Sequence, residues 1–262
     1  RDQRWRGVRG RGFVTGRPSA ERWLLLASYG SVAVALLLIV VKAAAWLYTG
    51  SASMLGSLID SFMDSMASVL SMVAVRYSLK PADEEHRCGH GKAESLAALA
   101  QSAFIMGSAA LLFLYCLERM LHAEEHVLEH TGIGVAVSVC AIVCTLGLLA
   151  LQTHAIRLTG STAISADRLH YKSDLLMNAA VIVSLLFAQR GIQQVDVIMG
   201  LVIAVIICSG ALQIGREAFG LLMDKALPPE IDQRIRELAL SSPGVLGVHD
   251  LRTRRSGMRY II

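Results

Sequence analysis

Two acidic residues stand one helical turn apart within a long apolar segment of this 262-residue chain. The segment reads GSLIDSFMDSMASVL, and its two carboxylates belong to Asp60 and Asp64. A second segment, ADRLHYKSDLLMNAA, carries His170 and Asp174 with the same spacing. Residues i and i+4 are neighbours on one face of an α-helix. Each segment therefore predicts a helix that presents two potential metal ligands on one face.

Metal binding explains why charged groups occur in these apolar segments. An acidic side chain at the centre of a membrane-spanning helix costs about 2.5–3.5 kcal/mol on insertion scales, so the acids are expected to face an interior site. Three carboxylates and one imidazole from two facing helices suit a four-coordinate zinc ion. The alternative is a proton-sharing cluster or a set of isolated helix-end charges. Two matched pairs favour the metal site.

A second candidate metal site lies in the polar segment KPADEEHRCGHGK. Asp83, His86 and His90 have the spacing of metal ligands. Pro81 and two glycines predict a loop, in which the three side chains can converge. A solvated polar loop without a metal is the other interpretation, and the sequence leaves both open.

The elements that position these residues are predicted to be membrane-spanning helices. Hydrophobic residues make up 54% of the chain and charged residues only 18%, whereas about a quarter of the residues of a soluble domain are charged. About 20 mostly apolar residues suffice to cross a bilayer. Six segments meet this length: Leu24–Leu47, Ala52–Val75, Ala93–Leu117, Gly132–Leu151, Leu169–Ala188 and Val195–Gly215.

The distribution of Lys and Arg predicts the orientation of the spans. Arginines are concentrated before the first predicted span, and basic residues border the loops after the second, fourth and sixth. The opposite side holds the acidic segment HAEEHVLEH. Because basic loops remain in the cytoplasm, both termini are expected there. We expect the Arg-rich tail to set orientation or contact lipid, and we expect no nucleic-acid partner.

The chain changes character after the sixth predicted span. Pro228 and Pro229 predict the start of a helix, and the segment SSPG predicts its end. The segments VLGVHDLRTR and MRYII then predict two strands. We therefore divide the chain into an Arg-rich tail (1–22), a six-helix transmembrane domain (23–222) and the first part of a cytoplasmic α+β domain (223–262).

Four blocks of the sequence resemble the cation diffusion facilitator family, and in particular its bacterial zinc and ferrous-iron efflux pumps. They are LIDSFMDSMAS, VRYSLKPADEEHRCGHGKAESLAALAQS, ADRLHYKSDLLMNA and PGVLGVHDLRTRRSG. The likeness extends from about Trp23 to the last residue. It implies a homodimer of six-helix subunits in the bacterial inner membrane, with a ferredoxin-like cytoplasmic domain, that exports divalent metal ions in exchange for protons.

The resemblance also implies a role for individual residues. In such a transporter the four membrane residues form the transport site, and the three loop residues bind a further metal ion. A lysine and an aspartate join two helices at the dimer, and a histidine belongs to a cytoplasmic zinc site. The corresponding residues are Asp60, Asp64, His170 and Asp174 for transport, Asp83, His86 and His90 for the loop, Lys92 with Asp224 for the dimer, and His249 for the cytoplasmic site.

The sequence thus predicts a secondary transporter that exports Zn²⁺, and also Cd²⁺ or Fe²⁺, by proton antiport. No P-loop motif is matched, so an ion gradient is the expected energy source, and no organic cofactor is expected. His170 suits proton coupling because an unperturbed imidazole titrates near pH 6.5. The main alternative is a membrane metal sensor that binds without transport. An intramembrane hydrolase and a proton or sodium antiporter are less favoured.

Overall fold

A computed structural model describes residues 18–49, 52–121, 132–188 and 194–262 of the chain. The acidic segment HAEEHVLEH and most of the Arg-rich tail lie outside these residues. The described elements are α1 (Pro18–Thr49), α2 (Ala52–Ser78), α3 (Lys92–Leu121), α4 (Gly132–Thr159), α5 (Thr162–Ala188), α6 (Gln194–Leu222), α7 (Pro229–Leu240), β1 (Arg254–Ser256) and β2 (Arg259–Ile261).

Five of the described helices, α1 to α4 and α6, are long and apolar enough to cross a membrane. Helix α5 is not among them, although the sequence predicted a span there. Its 27 residues extend over about 40 Å, so its length is sufficient. Its first half, however, carries Asp167, Arg168, Lys172 and Asp174. These charges lower the hydropathy of α5 below that of its neighbours.

Helix α5 lies inside the bundle. It packs against α2, α3, α4 and α6, whereas α1 packs on α2 and α4, and α3 lies along α6. The small residues Ala98, Ala166 and Ala218 form a buried cluster between α3, α5 and α6, and small side chains allow helices to approach closely. Large apolar side chains such as Val40 and Leu111 point outward and are exposed. The apolar exterior and the polar α5 interior are the arrangement expected of a membrane bundle with a functional centre.

The segment after α6 forms a helix and a β-hairpin. Helix α7 begins at Pro229, as predicted, with Glu230 and Asp232 in its first turn. Strands β1 and β2 pair antiparallel. The predicted strand over VLGVHDLRTR is wrong for most of its length, because only its last residue, Arg254, belongs to β1. Among the described residues, β2 is the only strand that pairs with β1. Because β2 is three residues long, only a short stretch of the predicted strand can form hydrogen bonds to a partner strand.

Candidate metal centre

Helices α2 and α5 bring three of the four predicted membrane ligands together. Asp64, His170 and Asp174 each offer a ligand atom within 4.8 Å of the others. The Nε2 atom of His170 lies 3.0 Å from Asp64 Oδ1 and 3.7 Å from Asp174 Oδ2. The one-turn spacing places His170 and Asp174 on the same face of α5, and α5 packs against α2. Packing of two helices therefore assembles the cluster.

The cluster fits a cation with mixed nitrogen and oxygen ligands. His170 is buried, and its Nε2 atom makes no well-directed hydrogen bond among the described residues despite the nearby carboxylates. Asp64 and Asp174 are partly buried. Zinc accepts imidazole nitrogen and carboxylate oxygen at about 2.0–2.2 Å, so two ligand atoms of one tetrahedral ion lie roughly 3.3–3.6 Å apart. The distances of 3.0 Å from His170 Nε2 to Asp64 Oδ1 and 3.7 Å to Asp174 Oδ2 are close to that range.

Asp60 lies beside the cluster rather than in it. It occupies the preceding turn of α2 and is exposed, and among the described residues it does not belong to the group of ligand atoms within 4.8 Å. Its charge nevertheless interacts with that of Asp174. The role of Asp60 as the fourth ligand stays a prediction.

Lys42 on α1 supplies a positive charge next to the acidic cluster. Its Nζ atom donates to the backbone oxygen of Ser57 at 3.2 Å and to Ser61 Oγ at 2.5 Å. It interacts electrostatically with Asp60, Asp64 and Asp174. Sequence reasoning missed this residue, although a lysine in the first apolar segment was itself a signal, because a cation in a membrane span is costly unless it is paired.

Asp167 is a second residue that sequence reasoning missed. Its side chain is completely buried and accepts hydrogen bonds from Gln152 Nε2 at 2.7 Å and Ser68 Oγ at 3.2 Å. The hydroxyl of Tyr171 lies 2.9 Å from Ser68 Oγ and donates to the backbone oxygen of Ser31 at 3.0 Å. This network joins α1, α2 and α4 to α5, one turn before His170.

The loop between α2 and α3 also brings its three predicted ligands together. Asp83 Oδ2 lies 3.3 Å from His90 Nε2, and Asp83 Oδ1 lies 3.4 Å from His86 Nδ1. The backbone N–H of His86 donates to Asp83 Oδ1 at 2.6 Å. This hydrogen bond is the main cause that lowers the pKa of the Asp83 carboxyl. The three ligand atoms lie within 4.8 Å of one another, a spacing at which they could hold one metal ion.

Ionic contacts join the start of α3 to the end of α6 and to β1. Lys92 Nζ lies 3.0 Å from Asp224 Oδ1, and Arg254 donates to Asp224 Oδ2 at 3.0 Å. Hydrogen bonds from Lys92 and then Arg254 lower the pKa of the Asp224 carboxyl. Arg254 also donates to Cys88 Sγ at 2.9 Å.

His249 is exposed and joins no three-ligand group in the described part of the chain.

Comparisons with known proteins assign the chain to a family. Residues 28–223 match the cation efflux transmembrane domain, and residues 227–262 match the cytoplasmic domain of cation efflux proteins. The chain therefore belongs to the cation efflux family, a class of multi-pass membrane transporters that move metal ions. The resemblance stated from the sequence blocks is confirmed.

Bacterial cation-efflux pumps are among its relatives. The chain is 51% identical to the cation-efflux pump FieF of Shewanella oneidensis over 249 residues, which cover 95% of this chain and 83% of that protein. It is 46% identical to the cation-efflux pumps FieF of Yersinia pestis and Yersinia pseudotuberculosis over 245 residues, or 94% of this chain and 81% of those proteins.

Proposed function

We propose that the protein exports Zn²⁺ across the bacterial inner membrane in exchange for protons, with Cd²⁺ and Fe²⁺ as further substrates. The observation that carries this proposal is the approach of His170 Nε2 to Asp64 Oδ1 at 3.0 Å and to Asp174 Oδ2 at 3.7 Å inside a helical membrane bundle. Membership of the cation efflux family supports export of a cation. The ligand types support a transition metal.

The ligand set favours zinc-like ions over the abundant alkaline-earth ions. Mg²⁺ requires octahedral oxygen ligands and retains its waters, and Ca²⁺ takes six to eight oxygen ligands. A site of one imidazole and two or three carboxylates suits Zn²⁺ and Cd²⁺ better, and it also accommodates Fe²⁺. In the four-ligand form of the site, Asp60 completes the coordination by turning toward Asp64.

Protons and metal compete for the same ligand atoms. A ligating histidine must be neutral and a ligating carboxylate must be ionised, so metal binding releases protons. Metal loads the site from the cytoplasm, and protons that enter from the outer side displace it. Lys42 lies close enough to offset part of the negative charge of the metal-free site. Alternation between metal-loaded and protonated states couples efflux to the proton gradient.

The full architecture we propose has six spans per subunit, with both termini in the cytoplasm. Helix α5 is the remaining span, the fifth in chain order, because a charged helix is tolerated in a membrane when its polar groups face the bundle interior and Asp167 and His170 are buried there. The segment from α7 onward belongs to a ferredoxin-like cytoplasmic domain. In a homodimer, the Lys92–Asp224 link lies at the subunit contact, and His249 contributes to a cytoplasmic zinc site.

The loop site has a structural or modulatory role in this proposal. Asp83, His86 and His90 lie at the cytoplasmic end of α2 and α3, away from the α2–α5 cluster. A metal ion held by the three side chains fixes the loop immediately before α3, which begins at Lys92. The ion in this site is therefore retained during the transport cycle.

A flux assay in proteoliposomes tests the proposal. The purified protein is reconstituted with a metal-sensitive dye, and uptake of Zn²⁺, Cd²⁺, Fe²⁺ and Mn²⁺ is followed with and without an imposed pH gradient. We expect Zn²⁺ flux that accelerates when protons are supplied on the side where metal is released. Metal binding without flux would support the sensor, and flux indifferent to pH would support a channel or uniporter.

A further inference from the structure

The turn between α4 and α5 is held by a side chain of the cytoplasmic hairpin. Helix α4 ends at Thr159 and α5 begins at Thr162. Arg255 on β1 donates from Nη2 to the backbone oxygens of Thr159 and Gly160, each at 2.9 Å. These carbonyls lie at the end of α4, where a cation also interacts favourably with the helix dipole.

The contact between the hairpin and the helices is tightly packed. A Cβ atom added to Gly160 would lie 2.8 Å from Arg255 Nη2, and one added to Gly91 would lie 2.5 Å from the backbone of Ser256. Arg255 Nε donates to the backbone oxygen of Gly257 at 2.8 Å, so the hairpin itself orients the guanidinium. A displacement of the hairpin therefore moves either the α4–α5 turn or the start of α3.

Glu94 holds the same turn from α3. It lies in the first turn of that helix and is 3% exposed. Its carboxylate lies beside Ser161, Thr162 and Ala163 at the start of α5, and its Oε1 atom has no hydrogen-bond partner among the described residues. Backbone N–H groups in the first turn of a helix have no partner within the helix. A negative charge at the start of a helix interacts favourably with the helix dipole, so Glu94 links the start of α5 to α3.

Helix α5 connects this turn to the transport site. His170 lies eight residues after Thr162 in the same continuous helix, or about 12 Å along its axis. Its partner Asp64 belongs to α2. Because metal ligands must be placed to within about 0.5 Å, the position of the α5 N-terminus relative to α2 determines whether the three ligand atoms meet.

We propose that Arg255 and Glu94 are positioning residues of the transport site, through which the cytoplasmic hairpin sets the place of α5 and of its ligands His170 and Asp174. This inference rests on the proposed function of the α2–α5 cluster. Neither residue contacts the metal. Their loss changes the coordination geometry and the transport rate, while the number of metal ions bound per chain stays constant.

The test combines flux with the absorption spectrum of bound Co²⁺, which reports coordination geometry. Spectra are recorded in a background with His86→Ala and His90→Ala, so that the loop site is absent. In Arg255→Ala we expect flux to fall at least fivefold and the Co²⁺ spectrum to change, with the same number of bound ions. Arg255→Gln, which keeps one donor group, should lie between Arg255→Ala and the unmodified protein in both measurements.

Arg252→Ala is the matched control. Arg252 lies three residues earlier, is exposed and pairs with Asp250, so its loss should change neither flux nor spectrum. Glu94→Ala should resemble Arg255→Ala, whereas Glu94→Gln, which retains an acceptor oxygen, should keep at least half of the flux. A loss of folding would change the elution profile and the number of bound ions, which separates it from a change in geometry.

Two results are decisive. Flux and Co²⁺ spectrum like those of the unmodified protein in Arg255→Ala would overturn the inference while leaving the transport site intact. If Arg255→Ala does not fold, the same result in Arg255→Gln would overturn it. Absence of flux in the unmodified protein would instead contradict the proposed function.

Discussion

Asp64 on α2 and His170 on α5 approach to 3.0 Å between Oδ1 and Nε2. The pair crosses a helix–helix interface, so the cluster exists only while the two helices keep their relative position. A small shift of one helix would separate ligands that the other helix holds in place. In the transport cycle that we propose, one arrangement of the bundle brings these ligands together to bind a cation, and another separates them to release it.

The first prediction concerns Asp60 as the fourth ligand. Asp60→Asn should weaken Zn²⁺ binding at the membrane site at least about tenfold, or roughly 1.4 kcal/mol, because one charged oxygen ligand is lost. Asp64→Asn should weaken it more, since Asp64 lies within the assembled cluster. Titration calorimetry in the His86→Ala, His90→Ala background measures both. Affinity unchanged in Asp60→Asn would mean that water takes the fourth position.

The second prediction concerns metal selectivity. His170→Asp makes the site all-oxygen, so it should lower flux of Zn²⁺ and Cd²⁺ relative to Mn²⁺ by about tenfold or more, because harder oxygen ligands suit Mn²⁺ better. Competition between metals in the proteoliposome assay gives the ranking. An unchanged ranking would mean that the imidazole is not a ligand.

The third prediction concerns the loop site. The double variant His86→Ala, His90→Ala should bind one metal ion fewer per chain, and its flux should fall several-fold at most with the metal ranking kept. Cys88→Ser is the control, because Cys88 lies in the same loop but contacts Arg254. Elemental analysis counts the ions. An unchanged count would indicate a solvated polar loop, and complete loss of flux with the membrane site occupied would make the loop an obligatory relay.

The fourth prediction concerns the Lys92–Asp224 link. Lys92 lowers the pKa of Asp224. The link therefore contributes fully to stability at pH values above about 3.9, the ordinary pKa of an aspartate. This contribution is lost as the pH falls through the lowered pKa. Asp224→Asn should therefore lower the melting temperature by a constant amount, about 1–3 °C for a partly exposed pair, between pH 5 and 8.

Thermal melting in detergent at several pH values checks this expectation. The difference between Asp224→Asn and the unmodified protein should begin to shrink only below the ordinary aspartate pKa of about 3.9. Asp250→Asn serves as the control, since Asp250 pairs only with a nearby exposed arginine in the described contacts. A difference that already shrinks between pH 8 and pH 5 would contradict the assignment.

Local sequence patterns predicted much of this molecule. Apolar length alone located five helices that can cross a membrane, and one-turn spacing placed His170 and Asp174 on one face of α5. Proline and acidic residues located the start of α7. In each case the relevant physics acts within one segment, either as the cost of exposing polar groups to lipid or as the geometry of a single helix.

Contacts between distant segments were not predictable in the same way. Nothing near Arg255 in the sequence indicates that it binds the end of α4, and nothing near Lys42 indicates which carboxylates it faces. Asp167 was missed, because its partners Ser68 and Gln152 come from other helices. Such contacts depend on how the helices pack, which spacing within one helix does not determine.

The most direct test of the central claim measures bound metal and flux on the same samples of two histidine variants. His170→Ala removes a ligand from the membrane cluster, and His249→Ala removes an exposed imidazole outside it. We predict that His170→Ala loses one bound Zn²⁺ per chain and all Zn²⁺ flux driven by a pH gradient, while His249→Ala keeps the membrane ion and most of the flux. Flux within twofold of the unmodified protein in His170→Ala would contradict the account.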